Sequence, residues 1–163
     1  MDPDRLTTLY REYGPTIYGR CRLLLGDERE AEDATQETFL RVHRHLDNVP
    51  DAREALFWIY RVATNYCLNE IRDRRGRARP AAVLPDAFPE LSASEIRLAD
   101  RDLVRRLIER APPKERVVVW LYHVDGFEQN EIAGIVGASR RTVAGRLSRF
   151  MANARKYMRR SAA

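Results

Sequence analysis

The sequence predicts an all-α protein made of two small helical domains joined by a flexible linker. Apolar residues recur at three- and four-residue spacing along most of the chain, which is the pattern of helices with one buried face. Segments with the alternating pattern of a strand are nearly absent, and Pro and Gly fall between the periodic segments. The length of 163 residues is enough for two small domains.

The first half of the chain is predicted to form three helices: residues 4–25, 28–46 and 52–75. Two aspartates stand where an N-cap belongs, each with a glutamate three residues later: Asp27 with Glu30, and Asp51 with Glu54. Gly26 is expected to end the first helix, and Gly14-Pro15 to kink or split it.

A linker is predicted after the third helix, because residues 76–91 carry three prolines and little periodicity. The predicted boundaries are therefore residues 1–75 for the first domain, 76–93 for the linker and 94–163 for the second domain. Ser92 opens a helix that runs to Arg110, and a further helix runs from Lys114 to about Tyr122.

The stretch from Gly126 to Met151 predicts two short helices around a tight turn. The first helix covers about 128–136, Gly137 ends it, and Ser139 is the N-cap of the next. The next helix repeats its apolar residues with the spacing of one buried stripe: Val143, Leu147, Phe150, Met151, Ala154 and Met158. This pattern is typical of a helix-turn-helix, whose second helix usually enters a DNA major groove.

The second predicted helix of this motif is strongly basic. Residues 139–163 hold eight Lys or Arg and no Asp or Glu, which suits the neutralisation of phosphates. The alternative is a solvated helix end whose basic side chains complement the helix dipole. Residues 1–79 carry 14 basic and 14 acidic side chains, so the formal net charge of +5 lies in the rest of the chain. This asymmetry suggests two surfaces with different partners.

One face of the third predicted helix has an unusual composition. At 100° per residue, six of its polar and aromatic side chains fall within a sector of roughly 120°. They are Trp58, Arg61, Asn65, Asn69, Arg72 and Arg75. Amide and guanidinium groups hydrogen-bond bases and phosphates, and aromatic rings stack on unpaired bases. The alternative is that Trp58 belongs to the core and the rest is a hydrated face.

No pattern of catalytic or cofactor-binding residues is present in the sequence. A P-loop, a dinucleotide fingerprint, metal-ligand spacing and a nucleophile motif are all lacking, so neither enzymatic activity nor a cofactor or metal is expected. Cys21 and Cys67 are interpreted as buried thiols in a reducing compartment, and His43 and His45 as surface residues. Without a signal peptide or long apolar run, the protein is expected to be soluble and cytoplasmic.

Three long motifs in the expected order resemble bacterial RNA polymerase sigma factors of the extracytoplasmic function (ECF, group 4) subfamily. They are AEDATQETFLRVHRHL, FWIYRVATNYCLNEIRDRR and APPKERVVVWLYHVDGFEQNEIAGIVGASRRTVAGRLSRF. The resemblance covers nearly the whole chain and implies a helical bundle, sigma region two, at residues 1–75. It implies the helix-turn-helix domain, sigma region four, at residues 94–160.

The resemblance also implies roles for individual residues. Asp33, Gln36 and Glu37 match the helix that docks on the clamp coiled coil of the largest polymerase subunit, although composition alone suggests a solvated face. The face from Trp58 to Arg72 matches the helix that meets the proximal (−10) promoter element, and residues 47–51 match the loop that captures a flipped nontemplate base. The family often has Asp where Asn69 stands.

The second helix of the helix-turn-helix matches the family's reader of the distal (−35) element. The DNA-contacting residues that the match implies are Ser139, Arg140, Arg141, Thr142, Arg146 and Arg149. The sequence departs from the family at Ala144-Gly145, where Lys-Ser is commoner.

The function that these features favour is transcription initiation: binding core polymerase, recognising a bipartite promoter and helping to melt it. The expected partners are core RNA polymerase, through its clamp coiled coil and flap, promoter DNA as duplex and nontemplate single strand, and an anti-sigma factor. No small-molecule substrate is expected. The rival hypotheses are an ordinary helix-turn-helix regulator that senses a ligand or dimerises, and a regulator that binds only proteins. A hydrolase or transferase is the poorest fit.

Overall fold

The computed structural model describes residues 3–45, 51–74 and 98–161. Within these ranges the chain forms seven α-helices and no strand, so the predicted all-α fold is confirmed. The chain separates into two compact units, Met1–Pro85 and Asp86–Ala163. Arg75, the predicted linker and residues 47–50 of the predicted base-capturing loop lie outside the described residues, as does the start that Ser92 predicts for the fourth helix.

The first unit is a bundle of three helices, each of which packs against the other two. They are α1 (Pro3–Leu25), α2 (Glu28–His45) and α3 (Ala52–Asp73). α1 continues through Pro15 as a single helix, so the predicted split does not occur. Pro15 is exposed, which lets water satisfy the carbonyl that a proline leaves without its helical donor.

Local capping fixes where the helices of the first unit begin and end. The Asp27 carboxylate accepts the backbone N–H of Glu30 at 3.0 Å, and the Asp51 carboxylate accepts that of Glu54 at 2.8 Å. Gly26 follows α1 with a φ of 75°, a left-handed conformation that favours glycine. Both predicted N-caps and the glycine stop are confirmed.

The core of the first unit mixes aliphatic side chains with small polar ones that are internally satisfied. Ile17, Ile59 and Val42 are fully buried. The hydroxyls of Thr35 and Thr38 are also buried, and each donates to the carbonyl four residues earlier at 2.7 Å. Because these hydrogen bonds remove the cost of burying a hydroxyl, threonine fits the buried face of α2.

The two cysteines, Cys21 and Cys67, lie in this core with no exposed surface and are not joined in a disulfide. A hydrogen bond between their side chains lowers the pKa of Cys21 and raises that of Cys67 well above its usual value, with burial adding to the second shift. The interpretation of both residues as buried thiols is confirmed.

The second unit has one central helix that is buried on every side. Its helices are α4 (Leu98–Arg110), α5 (Pro113–His123), α6 (Gln129–Val136) and α7 (Arg140–Ser161). Every residue of α5 from Glu115 to Leu121 is buried, and α5 packs against both α6 and α7. Arg116 is among them, and its Nη2 donates to the carbonyls of Glu109 at 3.0 Å and Ala111 at 3.1 Å. These bonds tie the end of α4 to α5.

Two details of the predicted apolar stripes are wrong. In α7, Val143, Leu147 and Ala154 are buried, but Met151 and Met158 are 42% and 41% exposed. The stripe narrows because α5 and α6 cover only part of this long helix. The apolar spacing of α6 predicts Ile132, Ala133 and Val136 on its inner side, but the buried residues are Ile132 and Ile135. Among the described helices, none combines the length and apolarity needed to cross a membrane.

Candidate functional site

The turn between α6 and α7 has the geometry that the sequence predicted for a helix-turn-helix. Gly137 ends α6 in the left-handed region with φ 64° and ψ 39°. Ala138 then donates its backbone N–H to the carbonyl of Ala133 at 3.0 Å, which closes the turn. The Ser139 hydroxyl accepts the backbone N–H of Thr142 at 3.1 Å and therefore caps α7.

The first turns of α7 present the predicted DNA-contacting side chains to solvent. Ser139, Arg140, Arg141 and Thr142 are all exposed. Val143 and Leu147 occupy the opposite side of the helix and are buried. Because α7 packs against α5 and α6 through that apolar side, the polar side is left free to meet a ligand. The first turn holds no acidic residue that would repel an anionic one.

Arg149, further along α7, is held by an acidic residue of α5. Its Nε lies 3.3 Å from Oε1 of Glu115, and the Glu115 side chain is 6% exposed whereas that of Arg149 is 64% exposed. Arg146 is half-buried, and burial lowers its pKa. The charge of Arg149 lowers the pKa of Arg146 further, whereas the charge of Glu115 raises it. Sequence analysis missed Glu115, because no local pattern marks a residue whose partner lies in another helix.

On α3, the predicted nucleic-acid face is partly exposed and partly packed. Arg61, Asn69 and Arg72 are exposed, while Trp58 and Asn65 are half-buried. All five side chains belong to one continuous helix within the first unit. The Nε of Arg72 lies 3.2 Å from Oδ1 of the neighbouring Asp73, in a pair that is itself exposed.

Trp58 is neither a core residue nor a free one. The centre of its ring lies 5.1 Å from that of His45, at the end of α2, with the two planes at 44°. His45 is exposed and its Nδ1 lies 3.1 Å from the carbonyl of Arg41, as expected for a surface residue. The described residues contain no group of three or more His, Cys, Asp or Glu side chains that could hold a metal ion.

On α2, the three residues matched to polymerase binding lie near one another at the surface. Asp33 and Gln36 are exposed, and Glu37 is half-buried. The Arg41 Nε is 2.8 Å from Oε1 of Glu37, and its guanidinium lies 5.6 Å from the centre of the Tyr66 ring. This contact extends the polar surface from α2 to α3.

The Tyr66 hydroxyl is affected by the charges of several acidic side chains. Burial is the main reason that the pKa of Tyr66 is raised, followed by the charges of Glu70, Glu37 and Asp33. The acidic residues of α2 and α3 therefore act on the same ring, and Glu70 and Tyr66 are part of this surface although sequence analysis did not select them.

An open apolar groove of about 790 Å³ lies between α1 and α2 beside this acidic surface. Gln36 is part of its lining, together with Tyr10, Phe39 and Leu40. Tyr10 is 54% exposed and Leu40 45% exposed, although the Tyr10 ring packs edge-on against Phe39 with centres 4.9 Å apart. By its helical spacing Tyr10 belongs to the apolar side of α1, so the sequence alone does not indicate the groove.

Two models of known families match the chain, one in each unit. Residues 9–77 match sigma-70 region 2, and residues 101–153 match sigma-70 region 4. The ECF RNA polymerase sigma factor SigL of Mycobacterium tuberculosis is 31% identical over 145 residues, which are 87% of this chain and 82% of SigL. The ECF RNA polymerase sigma factor SigE of Mycolicibacterium smegmatis is 34% identical over 160 residues, which are 92% of this chain and 60% of SigE.

A solved structure of similar fold is that of CnrH in complex with the cytosolic domain of CnrY. The structural match covers 96% of this chain and 89% of the matched chain, with a TM-score of 0.63 and 23% sequence identity. Its identity is low enough that the likeness supports the fold alone. The family-model matches and the relationship to SigL are sufficient to assign the chain to a family. Sigma factors bind core RNA polymerase and promoter DNA. The chain belongs to the ECF sigma factors, which direct RNA polymerase to initiate transcription at specific promoters.

Proposed function

We propose that the two domains divide the work of promoter recognition. Residues 1–75 bind core polymerase, recognise the proximal (−10) element and aid DNA melting. Residues 94–163 recognise the distal (−35) element through the helix-turn-helix, and residues 76–93 connect the two domains. The chain acts by binding and not by catalysis, uses no small-molecule substrate, and works in the cytoplasm, where the bacterial polymerase and its promoters are.

Core polymerase is bound through Asp33, Gln36 and Glu37, which meet the clamp coiled coil. The support is that two of the three side chains are exposed and that Glu37 keeps part of its surface although it pairs with Arg41. A carboxylate pre-oriented by Arg41 loses less side-chain entropy when a partner's basic group arrives. The flap of the polymerase contacts the second domain.

The distal element is read by the first turns of α7. A helix that enters the major groove meets base edges with its N-terminal residues, and Arg140 and Arg141 are exposed there. Arg146 and Arg149 lie one and two turns further on, where phosphate contact is more natural than base contact. Ser139 and Thr142 add short hydroxyls that bind either bases or backbone.

The proximal element is bound as nontemplate single strand by the α3 face. Arg61 and Arg72 are exposed cations spaced along the helix, suited to a phosphate backbone. Asn65 and Asn69 lie one turn apart between them and suit the edges of unpaired bases. Trp58 presents the part of its ring that His45 does not cover, and Arg75 extends the same sector.

We infer also that a protein antagonist, an anti-sigma factor, controls access to these surfaces. CnrH, whose fold is similar, is in complex with the cytosolic domain of CnrY. The open groove between α1 and α2 lies beside the proposed polymerase-binding residues. A protein seated there would block the clamp without needing to touch DNA.

The observation that carries the proposal is that one chain presents two separate polar faces of different chemistry, each suited to a different form of nucleic acid. The face on α7 has an exposed basic first turn of a helix-turn-helix, and the face on α3 combines amides with a half-buried aromatic ring. An ordinary helix-turn-helix regulator needs only the first. The test is run-off transcription with core polymerase on genomic fragments. New start sites that require the protein are expected, whereas tight duplex binding without polymerase and no transcript would favour the regulator.

A further inference from the structure

The ion pair between Glu115 and Arg149 joins two helices with different tasks. Glu115 lies on α5, outside the helix-turn-helix, and Arg149 lies on α7, the helix proposed to contact DNA. The carboxylate is 6% exposed while the arginine side chain is 64% exposed, and Nε is the guanidinium atom paired with Oε1 at 3.3 Å. Glu115 therefore holds Arg149 at Nε, while most of the Arg149 side chain is exposed to solvent.

The chemistry of the guanidinium group makes this arrangement useful. Arginine carries five N–H donors in a rigid planar fork, so pairing at Nε leaves donors on the terminal nitrogens for another anion. An arginine fixed before binding loses less side-chain entropy when it meets a phosphate. The contact that holds Arg149 thus leaves its capacity for phosphate intact.

Only one of the two carboxylate oxygens of Glu115 is paired with Arg149. Its Oε2 is buried and accepts no hydrogen bond within the described part of the chain. Its charge acts on Arg146 as well, one turn earlier on α7, against the repulsion between Arg146 and Arg149. A buried carboxylate loses its hydration, and a buried ion pair is weak evidence for stability alone.

We propose that Glu115 is a positioning residue for DNA binding, which orients Arg149 toward a phosphate of the distal promoter element. The inference rests on the proposed function, in which α7 enters the major groove. A carboxylate that instead competed with phosphate for Arg149 would weaken DNA binding, which is the opposite effect. The sign of the change on removing Glu115 separates the two.

The experiment measures the affinity of the holoenzyme for duplex fragments carrying the distal element, across a series of salt concentrations. The variants are Glu115→Ala, Glu115→Gln, Arg149→Ala and the double variant Glu115→Ala with Arg149→Ala. The matched control is Glu109→Ala, which removes a carboxylate paired with Arg105 inside α4. Thermal unfolding of each variant is followed in parallel, and where Glu115→Ala does not fold, Glu115→Gln carries the test because its amide keeps the shape of the side chain.

Arg149→Ala is expected to reduce the slope of log affinity against log salt by about one unit. Glu115→Ala is expected to weaken binding by about three- to tenfold in the wild type and to have no further effect once Arg149 is absent. Glu115→Gln, which keeps an oxygen acceptor, should recover part of the loss, and Glu109→Ala should bind normally.

Three results would overturn the inference. Equal losses from Glu115→Ala with and without Arg149 would mean that Glu115 only stabilises the fold. Tighter binding by Glu115→Ala would mean that it competes with DNA. Normal binding and a normal salt slope for Arg149→Ala would remove the phosphate contact itself. The broader proposed function fails separately, when the unaltered protein supports no promoter-dependent run-off transcript.

Discussion

The hydroxyl of Ser139 lies 2.9 Å from that of Thr142 and accepts the backbone N–H of the same residue at 3.1 Å. Both residues belong to the set proposed to contact DNA, yet in the free protein Ser139 caps α7. The cap fixes the first turn of the helix, where Arg140 and Arg141 are exposed. Ser139 therefore has a role in stability and a proposed role in DNA contact, and substitutions can separate the two.

Ser139→Ala is expected to destabilise the second unit by about 0.5–2 kcal/mol, because it leaves an N–H at the start of α7 without its cap. Ser139→Asp keeps a capping oxygen and should remain near wild-type stability, but its charge should weaken DNA binding. The two tryptophans allow the units to be followed separately. Urea unfolding is measured by the fluorescence of Trp120 in a Trp58→Phe background. Equal stability of the Ala variant and the wild type would contradict the cap.

Arg141→Ala tests base reading by the first turn of α7. A bidentate contact to a base is worth about 1–3 kcal/mol, so binding to the cognate distal element should fall by this amount and specificity should relax at one or two positions. The measurement is holoenzyme affinity for a set of single-base variants of the element. Arg155→Ala, an exposed cation further along α7, is the matched control and should leave the ranking of sequences unchanged. An unchanged ranking for Arg141→Ala would place Arg141 on phosphate instead.

Replacing Asp33, Gln36 and Glu37 together with Ala is expected to weaken binding to core polymerase without altering helical circular dichroism. Truncating charged groups at an interface typically costs about 2–5 kcal/mol where they are buried and hydrogen-bonded in the complex. Affinity is measured by titrating labelled protein with core enzyme. Arg11→Ala with Glu12→Ala, an exposed polar pair on α1, is the control. Unaltered affinity of the triple variant would remove the clamp assignment.

Local signals were sufficient to predict much of the fold. Asp27, Asp51 and Ser139 each accept a backbone N–H three residues later, and Gly26 and Gly137 end helices with positive φ. Each of these features depends on a few neighbouring residues, which is why the sequence alone predicts them. Periodicity likewise predicts an inner stripe on α2, and all five of its residues are buried: Ala31, Ala34, Thr35, Thr38 and Val42.

Features that depend on tertiary packing were not predictable in this way. Glu115 is buried and paired with Arg149, 34 positions later in the chain, and no periodic pattern distinguishes it from a solvated glutamate. Met151 continues the apolar spacing of α7 but lies where no described helix covers it fully. For the same reason the sequence did not indicate that the half-buried Trp58 ring contacts His45, which lies at the end of another helix.

The α3 face gives the sharpest test of promoter melting. Opening the strands costs a few kcal/mol for each unpaired and unstacked base. Capturing a base by stacking returns about 1–3 kcal/mol, available only once the strands are apart. Asn65 and Asn69 lie one turn apart on α3, and the Asn69 side chain is exposed.

Asn65→Ala with Asn69→Ala should therefore leave polymerase binding and distal-element recognition intact while reducing open complexes. The measurement is permanganate reactivity of unpaired thymines near the start site, with Trp58→Ala as a second variant that removes the stacking ring. Trp58→Ala is expected to lower the permanganate reactivity below that of the asparagine double variant. Trp58→Phe is expected to be more reactive than Trp58→Ala, because a smaller ring still stacks. Normal permanganate footprints in the asparagine double variant would show that these amides take no part in melting. Loss of core binding instead would mean that this face supports the structure of the first unit.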